Sequence, residues 1–395
     1  MKSYMLITIL AVAMLFGGNG LFGVTATAEV YSDATLEVLR KPNLKILHLG
    51  NSYTFDAVSY LPLIVESTGA DISDLCIYRA MMAGGSFMDW YMTYNDISVG
   101  KDYSLEKVTG GIDANCATGL FNAGDGSVLR RALSNEQWDI VVVQQVSTYS
   151  PYYAEWGGKG TGGYMNELLD IIKEQQPQAL IGLMLVHSYA SNYSANKEGS
   201  SLKRWELIAE SVKQCSAEKD IDFIIPYGTA VQNLRATSLN NEMDLTADGI
   251  HCEYVLTRYT ASCSYYQSVL APRTGISVTA DKTRINKDYL TSETLMVSLD
   301  DATAPIAQRA ALLAADDWYH CWNPEEVTAP EEKAGDVNGD KAVDVADIAT
   351  VISAMAEENT DSFVPKADVN GDGVVDVADI ATIITIMSGG GDTEM

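Results

Sequence analysis

Buried strands alternate with amphipathic helical segments along most of the chain, and this alternation limits the possible folds more than any other feature. Apolar runs of strand length occur at residues 44–50, 76–81, 139–145, 180–186 and 222–226. Apolar residues with helical spacing occur at residues 57–67, 164–175, 202–217, 253–270 and 303–319. This alternation predicts βαβ units and a parallel sheet with helices on both faces, which is a three-layer α/β/α fold. Ligands bind such sheets beyond the carboxyl ends of the strands, in the loops that follow them.

The charge balance excludes several classes of partner. Lys and Arg total 26 against 53 for Asp and Glu, which gives a formal net charge of −27. We therefore expect no phosphate-binding surface, and neither nucleic acid nor an anionic membrane as a partner. Residues 331–395 carry 15 acidic side chains and 3 lysines, so −12 of the −27 lies there. That segment is either a solvated acidic tail or a set of cation ligands.

The first 28 residues have the features of a cleaved secretory signal. Lys2 precedes an apolar run from Met5 to Phe16 that is too short to span a bilayer, and small residues end at Ala28. We predict a signal peptide at 1–28, with an uncleaved anchor as the alternative. The mature protein is then secreted and extracellular, without membrane insertion. Its six cysteines leave disulfide bonds and free thiols equally open.

A duplicated sequence follows a segment of linker composition. Residues 323–334 lack periodicity, which indicates a linker after a large domain at 29–322. A 15-residue sequence then occurs twice, 32 residues apart. Each copy places oxygen-bearing side chains at positions 1, 3, 5, 9 and 12 and a backbone carbonyl at position 7, which is the spacing of an EF-hand calcium loop. The predicted Ca²⁺ ligands are Asp336, Asn338, Asp340, Ala342, Asp344 and Asp347 in the first copy, and Asp368, Asn370, Asp372, Val374, Asp376 and Asp379 in the second.

The paired loops resemble dockerin modules, which bind cohesin domains on scaffold proteins. As in dockerins, position 12 is Asp rather than Glu, and one helical segment follows each loop. The resemblance implies a small all-α domain at 335–390, two structural Ca²⁺ sites and a cohesin-bearing partner. Position 6 of the loop is Gly373 in the second copy but Lys341 in the first, where the turn favours a positive φ. We therefore expect the first loop to bind calcium more weakly.

Two polar segments of the large domain could carry nucleophilic catalysis. Ser52 follows the first predicted strand directly after Gly50 and Asn51, where it could present both its Oγ and its backbone N–H to one carbonyl. Asp248 precedes His251 by three residues, a spacing that lets one turn hold the carboxylate against the imidazole and direct the other ring nitrogen to a nucleophile. Either segment alone is more often an ordinary capped turn.

Together these segments resemble the SGNH hydrolase superfamily over residues 44–270. The matching segments are Gly50-Asn51-Ser52, Ala83-Gly84-Gly85-Ser86 and Asp248-Gly249-Ile250-His251. The resemblance implies a flavodoxin-like parallel sheet with Ser52 as nucleophile, His251 as base and Asp248 as the residue that orients it. It also implies that the N–H groups of Ser52 and Gly85 hold the oxyanion.

The third block of the superfamily, which normally supplies an asparagine, is altered. This chain has Gln144 and Gln145 after the central strand. We predict the Gln145 amide as the third oxyanion donor, with Ser147 as the alternative. Two glutamines that merely cap a buried strand are an equally good interpretation.

Substrate indications are weaker and rest largely on the paired resemblances. Tyr149 and Tyr152 follow the central strand and could form a platform for a sugar ring, with ordinary packing as the alternative. His187 could line the same cleft or be a core histidine. Dockerins commonly attach carbohydrate-active enzymes to scaffolds. We predict a secreted serine esterase that deacetylates a polysaccharide or glycan and uses no catalytic cofactor. A lipase or thioesterase of the same fold, and a non-catalytic glycan-binding or scaffold component, are the alternatives.

Overall fold

The computed structural model describes residues 31–71, 75–101, 103–108, 128–286, 296–324, 335–338, 343–356, 367–370 and 374–388. The chain divides into two compact units, the first ending at Pro324 and the second beginning at Glu325. The predicted signal peptide and most of the predicted linker lie outside the described residues. Three predicted calcium ligands, Asp340, Ala342 and Asp372, also lie outside them.

A six-stranded sheet forms the centre of the first unit in the part of the chain that is described. Its strands are β1 Lys45–Gly50, β2 Cys76–Met82, β3 Tyr103–Lys107, β4 Ile140–Val143, β5 Leu180–Met184 and β6 Phe223–Ile225. Their spatial order is β3-β2-β1-β4-β5-β6, and every pair is parallel except β2 with β3. Without β3, this is the flavodoxin-like order. The predicted α/β fold is confirmed.

The antiparallel edge strand β3 is absent from the sequence prediction. It spans only five residues, among which Leu105 is a fully buried apolar side chain. A strand this short offers too few positions for a period-2 pattern to be recognised. The sheet is therefore mixed rather than wholly parallel.

Helices cover both faces of the sheet, as predicted. Their bounds are α1 Asp33–Leu39, α2 Ser52–Val58, α3 Leu61–Thr68, α4 Phe87–Tyr94, α5 Val128–Asn135, α6 Tyr153–Trp156, α7 Met165–Gln175, α8 Ser201–Glu218, α9 Tyr227–Arg235, α10 Leu256–Tyr265, α11 Ala271–Thr274 and α12 Ala304–Asp316. A π-helical turn, Tyr266–Leu270, joins α10 to α11, and a 3₁₀ turn spans Val278–Ala280.

Two differences from the predicted helices affect the region near the strand ends. The helix predicted at 57–67 is instead two helices, α2 and α3, and α2 begins immediately after β1. Helix α9 was not predicted because every one of its residues is buried, so it shows no polar face in the sequence.

The core beneath the strand ends contains a neutral histidine. His48, in β1, is fully buried, and its Nε2 lies 2.8 Å from the Tyr265 hydroxyl. Burial, with the nearby Arg79 charge, lowers the pKa of His48 to about 3. His48 is a core residue and does not line the cleft at Ser52.

The second unit contains two helices in its described residues, α13 Val345–Ala356 and α14 Val377–Met387. They pack through a small apolar core made of Val337, Val351, Ala354, Ala367 and Ile383. Each helix begins at position 10 of one copy of the repeat, so each copy contains loop residues and the start of a helix.

Four of the described cysteines are free thiols: Cys215, Cys252, Cys263 and Cys321. In the described residues, no helix has the length and apolar character needed to span a bilayer.

Candidate active site

Ser52 lies at the carboxyl end of β1, as the first residue of α2. Asn51 caps this helix, its Oδ1 accepting a hydrogen bond from Tyr53 N–H at 3.0 Å. Gly50 cannot be replaced by a larger residue without a shift, because a Cβ there would lie 1.9 Å from Thr54 Oγ1. The strand-to-helix turn is therefore tight, and it fixes Ser52 at the edge of the sheet.

A second loop brings His251 to Ser52. The Nε2 atom of His251 lies 2.9 Å from Ser52 Oγ, and Nδ1 lies 2.7 Å from Asp248 Oδ2. The carboxylate accepts only, so Nδ1 carries the ring proton and Nε2 is free to accept one from the serine. The structure thus brings together the three residues that the sequence nominated as a triad.

The Asp248 carboxylate is held by its own turn. Its Oδ1 accepts the backbone N–H groups of Ile250 and His251 at 2.9 and 2.8 Å. Partial burial acts to raise the pKa of Asp248, but these N–H groups and the His251 ring outweigh it and place the pKa below its ordinary value. The turn needs Gly249, which has a φ of +87°. Asp248 therefore remains ionised and oriented near neutral pH.

The altered third block supports the nucleophile's turn. Gln144 Nε2 donates to Asn51 Oδ1 at 2.7 Å, and Gln144 Oε1 accepts from the Thr54 hydroxyl at 2.7 Å. Asn51 Nδ2 in turn donates to the Gly85 carbonyl at 3.0 Å. Gln144 thus links the ends of β4 and β1 and fixes the residue that caps Ser52's helix.

Two of the predicted oxyanion donors are engaged elsewhere, which corrects the sequence prediction. Gly85 N–H closes a turn with the Met82 carbonyl at 2.9 Å. Gln145 is 1% exposed, and its Nε2 donates to the Gly162 carbonyl at 2.6 Å. Ser52 N–H differs from both, because the first N–H of a helix has no acceptor within that helix.

His187 packs against the turn that carries His251 and does not line the cleft, so it has the place of a core histidine rather than that of a substrate-binding residue. It is 1% exposed, its Nε2 lies 2.6 Å from the Ile250 carbonyl, and its ring stacks on Tyr53 at 4.2 Å between centroids. Burial lowers the pKa of His187 well below its ordinary value, an effect that the Arg235 charge increases. A neutral ring that donates to Ile250 holds the residue next to His251 in place.

Asp56 connects the nucleophile's helix to the histidine loop. Its Oδ2 accepts Cys252 N–H at 3.0 Å, and its Oδ1 accepts Arg258 Nε–H at 2.8 Å. Burial raises the pKa of Asp56 above its ordinary value, although Arg258 and Cys252 N–H act in the opposite direction. Cys252 follows His251, so this carboxylate joins the segments that carry both reacting side chains.

A cleft of ≈ 270 Å³ opens at Ser52 and His251. Its other lining residues are Phe55, Asp56, Met81, Tyr254 and Arg258. The predicted sugar platform does not belong to this set. Tyr152 is half-buried, its hydroxyl bonded to Glu198, and Tyr149 packs against Gly162. The prediction of a sugar platform is therefore wrong for this cleft. The loop after β4 forms successive turns of its own, Tyr149 N–H donating to the Val146 carbonyl and Tyr152 N–H to the Tyr149 carbonyl.

Three buried side chains near the triad have the ligand types of a metal site. The ligand atoms of Asp56, His187 and Cys252 lie within 4.8 Å of one another. Both Asp56 oxygens and both His187 ring nitrogens already have hydrogen-bond partners, the Nδ1 partner being the Tyr227 hydroxyl at 3.2 Å. This hydrogen bonding accounts for the cluster as a structural support.

The two repeat loops are organised around buried carboxylates. Asp347 is fully buried and accepts N–H groups of Val337, Asn338 and Asp344 at 2.8–3.0 Å. In the second loop, Asp379 is equally buried and accepts those of Val369, Asn370 and Asp376 at 2.8–3.1 Å. Position 12 thus holds the backbone of positions 2, 3 and 9 in the same way in both copies.

Sequence reasoning missed Asp56 and Arg258 and underrated Gln144. Asp56 and Arg258 stand 202 positions apart and fit no short motif. Gln144 is adjacent to Gln145, the predicted oxyanion donor, and the two residues differ only in the direction of their side chains. The signal that could have found Asp56 is a carboxylate one helical turn after the candidate nucleophile.

Comparison with known proteins bears on both units. A family model described as a domain of unknown function, DUF4886, matches residues 45–287, and the dockerin type I model matches residues 334–388. No curated protein sequence matches the chain.

Solved structures resemble the first unit. A DUF4886 family protein from Bacteroides uniformis ATCC 8492 is 25% identical, with a TM-score of 0.51 over 72% of this chain and 98% of that one. A candidate SGNH hydrolase from Slackia heliotrinireducens is 19% identical, with a TM-score of 0.34 over 54% of this chain and 93% of that one. A GDSL-like lipase from Bacteroides thetaiotaomicron VPI-5482 is 15% identical, with a TM-score of 0.30 over 55% and 83%. The C-terminal segment is a dockerin type I domain, and the chain belongs to the DUF4886 family.

Proposed function

We propose that this protein is a serine hydrolase that cleaves carboxylic esters. The observation that carries the proposal is the hydrogen-bonded series Ser52, His251 and Asp248, with separations of 2.9 and 2.7 Å. A serine, a correctly tautomerised imidazole and an ionised carboxylate in this order form the arrangement that activates a hydroxyl for acyl transfer. The cleft at Ser52 gives an ester access to it.

The reaction proceeds by acyl transfer. His251 Nε2 takes the Ser52 proton as Oγ attacks the ester carbonyl, and Asp248 stabilises the imidazolium that forms. Ser52 N–H donates to the developing oxyanion. The imidazolium then returns the proton to the leaving alcohol, and water releases the acyl group from Ser52 through the same base.

The substrate class follows from the second unit rather than from the site. A dockerin implies attachment to a cohesin-bearing scaffold and hence an extracellular enzyme, which agrees with a signal peptide at 1–28. Scaffold-bound enzymes of this kind act on polysaccharides, so we propose an O-acetyl group on a glycan as the ester. This step rests on analogy between modules, not on a residue of the cleft.

Two calcium ions belong to the proposal, one in each repeat loop. Dockerin type I domains generally bind calcium. The matching arrangement around Asp347 and Asp379 supports a site in each copy. The ions would have a structural role and no part in the ester reaction.

The decisive experiment measures acetate release from p-nitrophenyl acetate and from acetylated xylan. Ser52→Ala should abolish activity on both, because no nucleophile remains. Ser216→Ala, on the outer helix α8, is the matched control and should behave like the wild type. Equal rates in wild type and Ser52→Ala would remove Ser52 as nucleophile. A wild-type protein that binds acetylated xylan without cleaving any ester would instead identify a glycan-binding component.

A further inference from the structure

The cleft beside Ser52 contains a guanidinium group that is fixed in position. Arg258 Nε donates to Asp56 Oδ1 at 2.8 Å, and the group lies over the rings of Tyr254 and Phe55, at 4.5 and 5.1 Å from their centroids. The Arg258 side chain is 19% exposed. A carboxylate and two aromatic faces therefore limit its motion without removing it from the cleft.

The terminal nitrogens of Arg258 are not used within the described protein. Its one side-chain hydrogen bond uses Nε, and neither Nη atom donates to another described residue. A guanidinium has five N–H donors, so the four on the Nη atoms do not bind Asp56. Asp56 cannot bind a ligand in its place, because both of its oxygens already accept hydrogen bonds.

We propose that Arg258 binds a carboxylate of the substrate and makes the enzyme selective for esters that carry one. This inference rests on the proposed ester hydrolysis, whose site it deepens. Planar guanidinium and carboxylate groups match as two parallel hydrogen bonds, and Arg is favoured where such recognition is needed. The carboxylate lies either on the acyl group, as in a half-ester of a dicarboxylic acid, or on the sugar, as in a uronic acid.

The overall negative charge of the protein repels anions, so any preference for an anionic substrate must come from a local contact such as Arg258. A formal net charge of −27 repels an approaching anion at long range. Exposed charges more than about 10 Å apart are largely screened at 0.1 M salt, whereas a contact pair in a cleft is screened much less. Recognition by Arg258 is thus a short-range effect. A charge-assisted contact of this kind corresponds to a selectivity of about 10- to 100-fold.

The test compares matched charged and neutral esters in two arms, with kcat/KM as the readout. The acyl arm uses mono-p-nitrophenyl succinate against p-nitrophenyl butyrate. The sugar arm uses acetate release from acetylated polygalacturonate against its methyl-esterified form. We expect a charged-over-neutral ratio of about 10 to 100 in one arm, which identifies the source of the carboxylate. The ratio should not fall between 0.05 and 0.5 M NaCl, because salt screens the long-range repulsion far more than the contact pair in the cleft.

Three variants assign the ratio to Arg258. Arg258→Gln should reduce it to near 1, and Arg258→Lys should retain part of it, since the charge stays and the planar fork is lost. Arg284→Gln is the matched control, because Arg284 also donates from Nε to an aspartate, Asp301, at 2.8 Å. Thermal unfolding of each variant verifies folding. If Arg258→Gln is unfolded, Arg258→Lys decides: a ratio equal to that of the wild type would count against the inference.

Two results would overturn the inference while leaving ester hydrolysis intact. One is a wild-type ratio near 1 in both arms; the other is an equal loss on charged and neutral esters in Arg258→Gln. Calorimetric binding of galacturonate oligomers and of succinate to Ser52→Ala separates the two proposals if no ester is cleaved. Binding of either that is lost on adding Arg258→Gln would sustain the inference, whereas no binding would refute it.

Discussion

Asp56→Asn tests the idea that one buried carboxylate keeps the nucleophile and the base together. The native carboxylate accepts Cys252 N–H and Arg258 Nε–H, one on each oxygen. Asparagine has the same shape but only one acceptor oxygen. Its NH₂ group must therefore face one of these two donors, and Arg258 loses its counterion in either orientation.

The expected loss follows from those contacts. Leaving one buried donor unsatisfied, or losing a hydrogen bond to a charged group, costs about 1–3 kcal/mol, so the two effects together lower the free energy of unfolding by about 2–5 kcal/mol. Since Cys252 follows His251, we also expect the base to shift relative to Ser52. A displacement of about 1 Å lowers the rate roughly 100-fold, so kcat/KM on p-nitrophenyl acetate should fall by about 10- to 100-fold.

The assay combines urea unfolding with ester kinetics on the same preparations. Asp301→Asn is the matched control, because Asp301 also accepts from an arginine Nε but is 96% exposed, and we expect it to match the wild type in both measurements. If Asp56→Asn kept wild-type stability and kcat/KM, Asp56 would not join the two segments. A loss of stability at unchanged kcat/KM would refute the positioning role alone.

Further predictions concern Glu253 and the calcium loops. Burial, opposed by backbone N–H groups, raises the pKa of Glu253 from 4.5 to about 7, so the folded state binds this proton more readily than the unfolded one. Its contribution to stability is then complete below pH 4.5 and decreases by about 3 kcal/mol as the pH rises from 4.5 through 7, and Glu253→Gln should remove that dependence in urea unfolding at pH 5 and pH 8. An unchanged slope would contradict the assignment. Chelation by EGTA should lower the helical circular dichroism of the full chain, and calorimetry should show two Ca²⁺ ions, the second loop binding more tightly. Asp379→Asn should remove the tighter site, and Asp347→Asn the weaker one; an unchanged spectrum on chelation would count against structural calcium.

The sequence was sufficient for features that are repeated or local. The five parallel strands are recognisable in the sequence as apolar runs. The turn from Asp248 to His251 depends on only four consecutive residues. The calcium loops are evident because the same spacing occurs twice. In each case the signal lies within one stretch of chain, where spacing alone restricts the geometry.

Features that depend on the direction of a single side chain could not be predicted in this way. Gln144 and Gln145 are adjacent and chemically identical, and because side chains alternate along extended chain they point to different surroundings. The pairing of Asp56 with Arg258 depends on two helices whose contact exists only after the sheet has formed. The engagement of Gly85 N–H in a turn has one signal in the sequence, Gly84, whose φ of +58° suits the third turn position, but this signal does not show which N–H the turn uses.

The distance along the chain between Ser52 and His251 has a consequence for folding experiments. The base and its aspartate form one local turn, but 199 positions and the five strands after β1 separate that turn from the nucleophile. The 2.9 Å contact can therefore form only when β1 and the segment after β6 have reached the same edge of the sheet. We therefore expect an irreversible phosphonate to label Ser52 during refolding only after the sheet is complete. The rate at which labelling or ester hydrolysis appears would then report the rate of the last step of sheet assembly.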